Sequence, residues 1–227
     1  MLKFYYNAGP NPMKVALFLE EAGVDYEPMP IDGRLGDQHK PEYLAINPNA
    51  KAPSLVDGDV VVFDSNAILL YLAEKTGKFL PAAGDANRGA LLSWLMFVAK
   101  GVGPYSGQSV HFQHHAPEKL DYVVNRYRFE AKRHYGILDK RLADRPYLLG
   151  DAYTIADMAA WGWARLIPVV LDADAWGELP NLKRLVDGIS ARPAAERAVA
   201  LAQRHKFKTE MDEAARRNMF PSNLVKA

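Results

Sequence analysis

The sequence predicts an α/β segment followed by an all-helical segment. In the first third, short apolar runs suited to buried strands alternate with runs of helical spacing, in the order β-α-β-α-β-β-α. After residue 86 helical spacing continues alone, and no hairpin signal follows. We therefore expect an α/β domain over residues 1–78, a linker over 79–86 and an all-helical domain over 87–227.

The first strand, turn and helix are predicted at the start of the chain. Leu2 to Tyr6 is a short apolar and aromatic run, as in a buried strand. A turn rich in Pro and Gly follows, and helical spacing then continues to Gly23, which suits the left-handed position after a helix. We expect Asn11 to cap this helix and Pro12 to take its first position. Asn is a favoured cap, and Pro lacks an N–H that would have no partner there.

A second strand, a hairpin and a further helix complete the α/β segment. A strand is expected over Tyr26 to Ile31, and a short helical piece near residues 41–45. Asp57-Gly58 between two apolar runs predicts a hairpin over residues 54–63, because this pair tolerates the positive φ angles that a tight turn needs. The helix that follows has Ser65 as its expected N-cap.

Helices alone are predicted for the second segment. Long helical patterns cover residues 87–111 and 117–142, and two shorter helices fill 182–204. Another helix is expected from Thr154. Its side chain can cap the helix while Asp157, three positions later, reaches back to the cap.

Composition excludes several classes of protein. The 227 residues carry 28 Lys and Arg against 27 Asp and Glu, and a protein that binds nucleic acid normally has a basic excess. We find no secretory signal and no apolar run long enough to span a bilayer, so we expect a cytoplasmic protein with no membrane partner. Because the chain has no cysteine, it has no disulfide, no thiolate metal site and no cysteine nucleophile. Any thiol chemistry must use sulfur from another molecule.

Three strings, spread over most of the chain, indicate a family. They are Ala52-Pro53 before the hairpin, Asp64-Ser65 at the start of a helix, and the run from Gly150 to Asp157. Together with the order of elements, they resemble the cytosolic glutathione transferases. That family joins a thioredoxin-like N-terminal domain to an all-helical C-terminal domain that holds the substrate cleft and the dimer contacts. The resemblance implies a cis Ala52–Pro53 bond and a homodimer.

Finer strings resemble one branch, the bacterial Nu-class and disulfide-bond reductase type. These strings are Pro10-Asn11, Lys14, Gln38, Asn49, Lys51, Ser65, Gly107-Gln108, His111-Phe112 and Arg133. The branch implies that Asn11 lies close to the glutathione sulfur and acts as the catalytic residue. This sequence departs from the branch at Gly9, where the branch commonly has a threonine. The resemblance therefore implies that Asn11 and backbone N–H groups stabilise the thiolate.

The resemblance also implies the remaining site residues. Asp64 would meet the glutathione ammonium, and the helix that begins beside it suits the γ-glutamyl carboxylate. Gln38 would contact the glycyl end, and Arg133, from the same chain or its dimer mate, would reach a carboxylate. Tyr105 and Phe112 are expected to line the substrate cleft. The implied glutathione-binding residues are Gly9, Pro10, Asn11, Gln38, Lys51, Ala52, Pro53, Asp64, Ser65 and Arg133.

The implied activity is that of a glutathione-dependent enzyme, with glutathione as co-substrate and no metal. The bound thiolate would attack a disulfide, a peroxide or a small electrophile, because the thiolate and not the thiol is the nucleophile. Two alternatives stay open: a non-catalytic binding module on the same fold, and activation of the thiol by Tyr5 or Tyr6. A metal site at His111, His114 and His115 is disfavoured, since no carboxylate or cysteine accompanies them.

Overall fold

The structure is a computed structural model that describes residues 1–224. The chain forms two compact units. The α/β unit contains Met1–Tyr71 together with the C-terminal segment from Ala194 onward, and the helical unit contains Leu72–Pro193. The domain limits expected from the sequence stay a prediction, whereas the return of the C-terminal segment to the first unit was not predicted.

The helices and strands follow the predicted order. The strands are β1 (Leu2–Tyr6), β2 (Tyr26–Pro30), β3 (Ser54–Asp57) and β4 (Val60–Phe63). The helices are α1 (Pro10–Ala22), α2 (Pro41–Leu44), α3 (Ser65–Thr76), α4 (Asn87–Phe97), α5 (Gly103–His114), α6 (Asp121–Arg141), α7 (Ile155–Ala164), α8 (Ile167–Val170), α9 (Pro180–Ser190), α10 (Pro193–Gln203) and α11 (Glu213–Met219). Short 3-10 turns cover Asp37–His39, Ala173–Glu178 and Pro221–Leu224, and a π-helical turn covers Val98–Val102.

The four strands form one sheet in the order β2-β1-β3-β4. β1 and β2 are parallel, which requires a crossover connection, and α1 provides it. β3 is antiparallel to both β1 and β4. Along β1, Leu2, Phe4 and Tyr6 are buried and Lys3 is exposed, the period of two expected for a strand. The predicted thioredoxin-like sheet with its helices is confirmed.

The predicted hairpin is confirmed, but its turn lies one residue later than expected. Asp57 pairs with Val60 as the last pair of the ladder, so the two loop residues are Gly58 and Asp59. Gly58 has φ +61°, the left-handed region that glycine enters without steric cost. The expected Asp-Gly turn was therefore wrong by one position, because Asp57 extends β3.

The C-terminal segment completes the core of the α/β unit. The hydroxyl of Tyr6, which is fully buried, donates to the Leu201 carbonyl at 3.1 Å and is also hydrogen-bonded to Nδ1 of His205. The Phe207 ring meets the Tyr6 ring edge to face, with 5.9 Å between centroids. The end of the first strand is thus fixed by residues from the last part of the chain.

The helical unit contains the predicted capping box. Oδ2 of Asp157 accepts from the Thr154 N–H at 2.9 Å, and Thr154 in turn caps α7. Oδ1 of the same carboxylate accepts from the Leu148 N–H at 2.8 Å, so this fully buried group also ties down the preceding loop. The long pattern predicted from residue 87 is interrupted by the π-helical turn. A β-carbon at Gly101 in that turn would lie 2.5 Å from Cδ2 of His134, which explains the glycine.

In the described part of the chain, no helix combines the length and apolarity needed to cross a bilayer.

Candidate functional site

The turn before α1 brings backbone N–H groups to the end of β1. Gly9 is the N-cap and Pro10 takes the first helical position, so the expectation that Asn11 caps this helix was wrong. Pro10 starts the helix for the reason that favoured Pro12, namely its fixed φ and missing N–H. Asn11 is the second helical residue, within the first turn, where backbone N–H groups lack an intrahelical acceptor.

Asn7 explains the glycine in this turn. Oδ1 of Asn7 accepts from the Gly9 N–H at 2.9 Å. A β-carbon on Gly9 would lie 2.9 Å from the same oxygen, closer than carbon and oxygen normally approach. A threonine at position 9 would therefore displace the Asn7 amide. Asn7 was not singled out in the sequence, although a short amide two residues before a turn N–H is a known turn signal.

Two buried polar residues hold the loop before β3. The Tyr43 hydroxyl donates to the Lys51 carbonyl at 2.8 Å, and Nδ2 of Asn47 donates to the same carbonyl at 2.6 Å. The peptide bond between Ala52 and Pro53 is cis, as the resemblance implied. The sequence did not reveal Tyr43 or Asn47 as supports of this loop, because their partner is a backbone carbonyl and leaves no pattern.

Asp64, and not Ser65, caps α3. Its Oδ1 accepts from the Asn66 N–H at 2.8 Å and from the Ala67 N–H at 3.1 Å. Its carbonyl accepts from Ile68 N–H at 2.9 Å, the first hydrogen bond of the helix. Asp64 has φ +72°, a conformation that Asp tolerates better than most residues and that occurs often at functional sites. Ser65 is therefore the first residue of the helix, and its expected cap role was wrong.

Lys14 lies buried beneath Ser65. Its side chain is 1% exposed, and Nζ is 3.4 Å from Oγ of Ser65. Burial disfavours the charged ammonium and lowers the pKa of Lys14 to about 7, although the Asp64 carboxylate acts in the opposite direction. The signal in the sequence was a lysine inside the apolar stretch of a helix, which is unusual for this residue type.

Gln38 is buried against the C-terminal segment. Its Nε2 donates to the Gly33 carbonyl at 3.2 Å and to the Asn218 carbonyl at 3.0 Å. Both partners can only accept, so the orientation of the amide is determined. Oε1 of Gln38 is buried without a hydrogen-bond partner among residues 1–224.

A cavity of about 300 Å³ opens beside the turn before α1. Phe207 and Met219 provide its apolar walls, and Arg34 is its basic residue. The full lining is Asn7, Ala8, Gly9, Asp32, Gly33, Arg34, Phe207 and Met219. The C-terminal segment thus forms one wall of the space next to Gly9.

Three predicted residues belong to the helical unit. Arg133 donates from Nε and Nη2 to Oε2 of Glu130, at 3.0 and 2.9 Å, so a carboxylate one helical turn earlier orients its guanidinium. The Tyr105 ring lies 4.9 Å from the His134 ring, and the Phe112 ring stacks on Tyr127 at 5.2 Å. The other predicted residues, namely Gly9, Pro10, Asn11, Gln38, Lys51, Ala52, Pro53, Asp64 and Ser65, all belong to the α/β unit.

Tyr6 does not fit the role of thiol activator. Its hydroxyl is committed to Leu201 and His205, and burial raises the pKa of Tyr6 to about 12. The alternative that Tyr6 activates the thiol was therefore wrong. Tyr5 is only half-buried, packs against Tyr43 and stays an alternative. The histidines of α5 form no metal-binding group with other His, Asp or Glu side chains among the described residues.

The fold and these features define a thioredoxin-like unit and a helical unit of the glutathione-transferase type. The model of the glutathione S-transferase N-terminal domain matches residues 1–74, and that of the C-terminal domain matches residues 96–193. The chain belongs to the glutathione S-transferase family.

Individual relatives agree with this assignment. The chain is 40% identical to the disulfide-bond oxidoreductase YfcG of Escherichia coli over 217 residues, which are 89% of this chain and 96% of the relative. A glutathione transferase from Burkholderia graminis, solved with two glutathione molecules bound per subunit, matches with a TM-score of 0.84 and 35% identity over 90% of this chain and 89% of that one. A glutathione transferase from Pseudomonas putida, solved with one glutathione disulfide bound per subunit, matches with a TM-score of 0.82 and 32% identity. The match covers 87% of this chain and 90% of that one.

Proposed function

We propose that this protein is a glutathione-dependent thiol–disulfide reductase of the Nu-class branch, with conjugation of small electrophiles as a second activity. The observation that carries the proposal is the start of α3. There a capped helix N-terminus and the Ser65 hydroxyl, which is hydrogen-bonded to the buried Lys14 amine, form a receptor for a carboxylate beside the Asp64 carboxylate. A γ-glutamyl group carries both a carboxylate and an ammonium, and it complements this pair of charges.

The turn before α1 would stabilise the thiolate. A helix N-terminus has a partial positive charge, and Asn11 lies in the first turn of α1 with a side-chain amide that can donate. In the branch the residue at this position lies close to the glutathione sulfur. Hydrogen bonds to the anion would lower the thiol pKa and raise the thiolate fraction at neutral pH.

Disulfide reduction would need two glutathione molecules, because the chain has no cysteine. The first thiolate attacks one sulfur of the disulfide, forms a mixed disulfide and releases the other half as a thiolate that takes up a proton. A second glutathione thiolate attacks the glutathione sulfur of the mixed disulfide. The products are glutathione disulfide and two thiols, and the two electrons come from the two glutathiones. The relatives solved with two glutathiones or with glutathione disulfide support this stoichiometry.

The remaining site residues would hold the peptide ends and the second substrate. Lys51 and Arg133 are cationic and would meet carboxylates, and the backbone at Ala52 would pair with the cysteinyl part. Tyr105 and Phe112 would contact an apolar substituent. The cavity beside Gly9 has room for the leaving half of a disulfide.

We also propose that the protein is a cytoplasmic homodimer. Val60, Val61 and Phe63 on β4, and Leu92 and Met96 on α4, are exposed apolar side chains that a second copy would cover. Light scattering after size exclusion should give twice the monomer mass of 25.3 kDa, and a monomer at micromolar concentration would contradict this part of the proposal.

Turnover of two model substrates tests the proposed function. Purified protein is assayed with glutathione and 2-hydroxyethyl disulfide, and separately with 1-chloro-2,4-dinitrobenzene. We expect Asn11→Ala to lower kcat/KM for the disulfide by about 100-fold, the usual effect of removing one donor to a developing anion. Asn87→Ala, an exposed asparagine in the other unit, serves as the matched control.

Two outcomes would contradict the proposal in different ways. Unchanged turnover of the Asn11→Ala variant would exclude Asn11 as the group that activates the thiol. If the wild type binds glutathione but turns over neither substrate, the protein is a binding module on this fold.

A further inference from the structure

Lys14 is placed where a lysine is costly. The side chain is buried, and its Nζ lies beside Ser65 at the N-terminus of α3, which carries a partial positive charge. A second positive charge there is unfavourable, and burial adds the loss of hydration. The carboxylate of Asp64 acts in the opposite direction and favours the charged ammonium.

Asp64 supplies negative charge close to Lys14, but burial outweighs its effect on the pKa of the amine. Its Oδ1 already accepts two N–H groups at the start of α3. Lys14 itself has three N–H donors, and Oγ of Ser65 is its hydrogen-bond acceptor in the structure. A protonated Lys14 therefore keeps N–H donors beyond the one that it gives to Ser65, and an anionic ligand at the start of α3 would favour this charged form.

The hydrogen bond also determines what Ser65 can do. An ammonium can only donate, so Oγ of Ser65 accepts from Lys14 and its own O–H is left to donate to another acceptor. A serine hydroxyl oriented in this way, at a helix N-terminus, suits a carboxylate.

We propose that Lys14 is a positioning residue for ligand binding: it orients the Ser65 hydroxyl toward the carboxylate of an α-amino acid group and supplies the buried positive charge that this carboxylate balances. The inference rests on the proposed function, in which that group is the γ-glutamyl end of glutathione. Lys14 itself does not touch the ligand.

Ligand binding should therefore depend on pH. A bound carboxylate favours the charged ammonium and raises the pKa of Lys14 above the value of about 7 that it has in the free protein. Above that value the free protein must take up a proton to bind, so affinity falls as the pH rises. A rise of one unit in the pKa corresponds to about a tenfold loss of affinity at high pH.

The test measures the dissociation constant of S-methylglutathione by calorimetry between pH 6 and 8.5. This ligand has no thiol, so thiol ionisation does not contribute to the pH profile. For the wild type we expect Kd to rise severalfold over this range. Lys14→Met should bind about tenfold more weakly at pH 6 and show a flat profile, whereas Lys14→Arg, charged throughout, should bind with a flat profile and retain most of the affinity.

Controls separate a positioning role from a merely structural one. Lys3→Met removes an exposed lysine of the same unit and should leave both affinity and pH profile unchanged. In a double-mutant cycle, Lys14→Met should add little to Ser65→Ala, because the two act as a unit. If Lys14→Met does not fold, the comparison of Lys14→Arg with wild type tests the inference. A Kd that is constant with pH in Lys14→Arg but rises with pH in the wild type supports it.

The outcomes that overturn the inference are specific. A wild-type Kd that does not change with pH, or a Lys14→Met variant with the wild-type affinity and slope, refutes the role of Lys14 while the proposed function stands. No binding of S-methylglutathione by the wild type at any pH refutes both.

Discussion

The side-chain amide of Gln38 donates to the backbone carbonyl of Asn218 at 3.0 Å, across a sequence separation of 180 residues. The contact is one of several between the C-terminal segment and the loop after β2. Nδ2 of Asn218 donates to the Arg34 carbonyl at 2.9 Å, and the Lys208 N–H donates to Oδ2 of Asp32 at 2.6 Å. The segment therefore fixes the loop before Gln38, the residue that we propose contacts the glycyl end of glutathione.

Replacing the Gln38 amide with a carboxylate should destabilise the protein. In Gln38→Glu the side chain cannot donate to the Gly33 and Asn218 carbonyls at neutral pH, and two acceptors then face a buried negative charge. We expect the free energy of unfolding to fall by about 2–4 kcal/mol at pH 7, measured by urea denaturation. Burial raises the pKa of the introduced carboxyl, so the loss should shrink as the pH falls and it regains a proton. Glu42→Gln, at an exposed position nearby, is the control, and wild-type stability of Gln38→Glu at pH 7 would refute the expectation.

Tyr6→Phe should affect stability and not catalysis. The variant loses hydrogen bonds to Leu201 and His205 in the core of the α/β unit, at an expected cost of about 1–2 kcal/mol. Because that hydroxyl is committed to the core, kcat/KM for the model disulfide should stay within about twofold of wild type, a change of under 1 kcal/mol in the barrier. Thermal melts and steady-state rates check the two parts. A folded variant with most of its activity lost would restore Tyr6 as the thiol activator.

The stability of the unliganded protein should reflect the buried amine of Lys14. Its pKa is about 7 in the folded protein against the usual 10.5 of a lysine in water, so between these values the unfolded chain binds a proton that the folded protein lacks. Stability from this group therefore rises with pH over that window, by at most about 1.4 kcal/mol per pH unit, and the cost of burial is largest below pH 7. We expect the free energy of unfolding of Lys14→Met, minus that of wild type, to be more favourable to the variant at pH 6 than at pH 9.5. Urea denaturation of both proteins at both pH values measures this difference. Equal differences at the two pH values would show that this amine does not titrate in the window.

The carboxylate of Asp157 should be a main determinant of stability in the helical unit. It accepts from the Leu148 and Thr154 N–H groups and from the Thr154 hydroxyl, all of them buried. Asp157→Ala leaves these donors without an acceptor, and we expect a loss of about 2–4 kcal/mol in the free energy of unfolding. Asp151→Ala, an exposed aspartate a few residues earlier, should change stability by less than about 0.5 kcal/mol. A similar effect of the two substitutions would mean that the capping box contributes little.

The sequence predicted local structure well where one residue type has one strong preference. The strand Leu2–Tyr6 and the capping box of Thr154 and Asp157 depend on residues close in sequence, and both are confirmed. It failed by a residue or two where two candidates compete, as with Pro10 and Pro12 for the first position of α1, or Asp64 and Ser65 for the cap of α3. Each of these pairs offers the same chemistry, and the packing of the helix decides between them.

Contacts distant in sequence could not be predicted. The bonds from Tyr6 to Leu201 and from Gln38 to Asn218 use backbone carbonyls, which every residue has, so no side-chain pattern marks the partner. For Lys14, the apolar helical stretch around it signalled an unusual lysine, but nothing in the sequence marked its contact with Ser65, 51 residues away. The family resemblance indicated candidate site residues, but not Asn7, Tyr43 and Asn47, which hydrogen-bond to the segments that carry them.

The C-terminal return has a consequence for biosynthesis. On the ribosome, Tyr6 is made 195 residues before Leu201, whose carbonyl its hydroxyl requires. Domains are generally completed in the order in which they emerge during translation. Here the ribosome completes the helical unit before it has made the C-terminal segment of the α/β unit. The α/β unit is therefore the first to begin synthesis and the last to be complete. A nascent chain halted before α10 would expose the unfinished core around Tyr6 to chaperones and proteases.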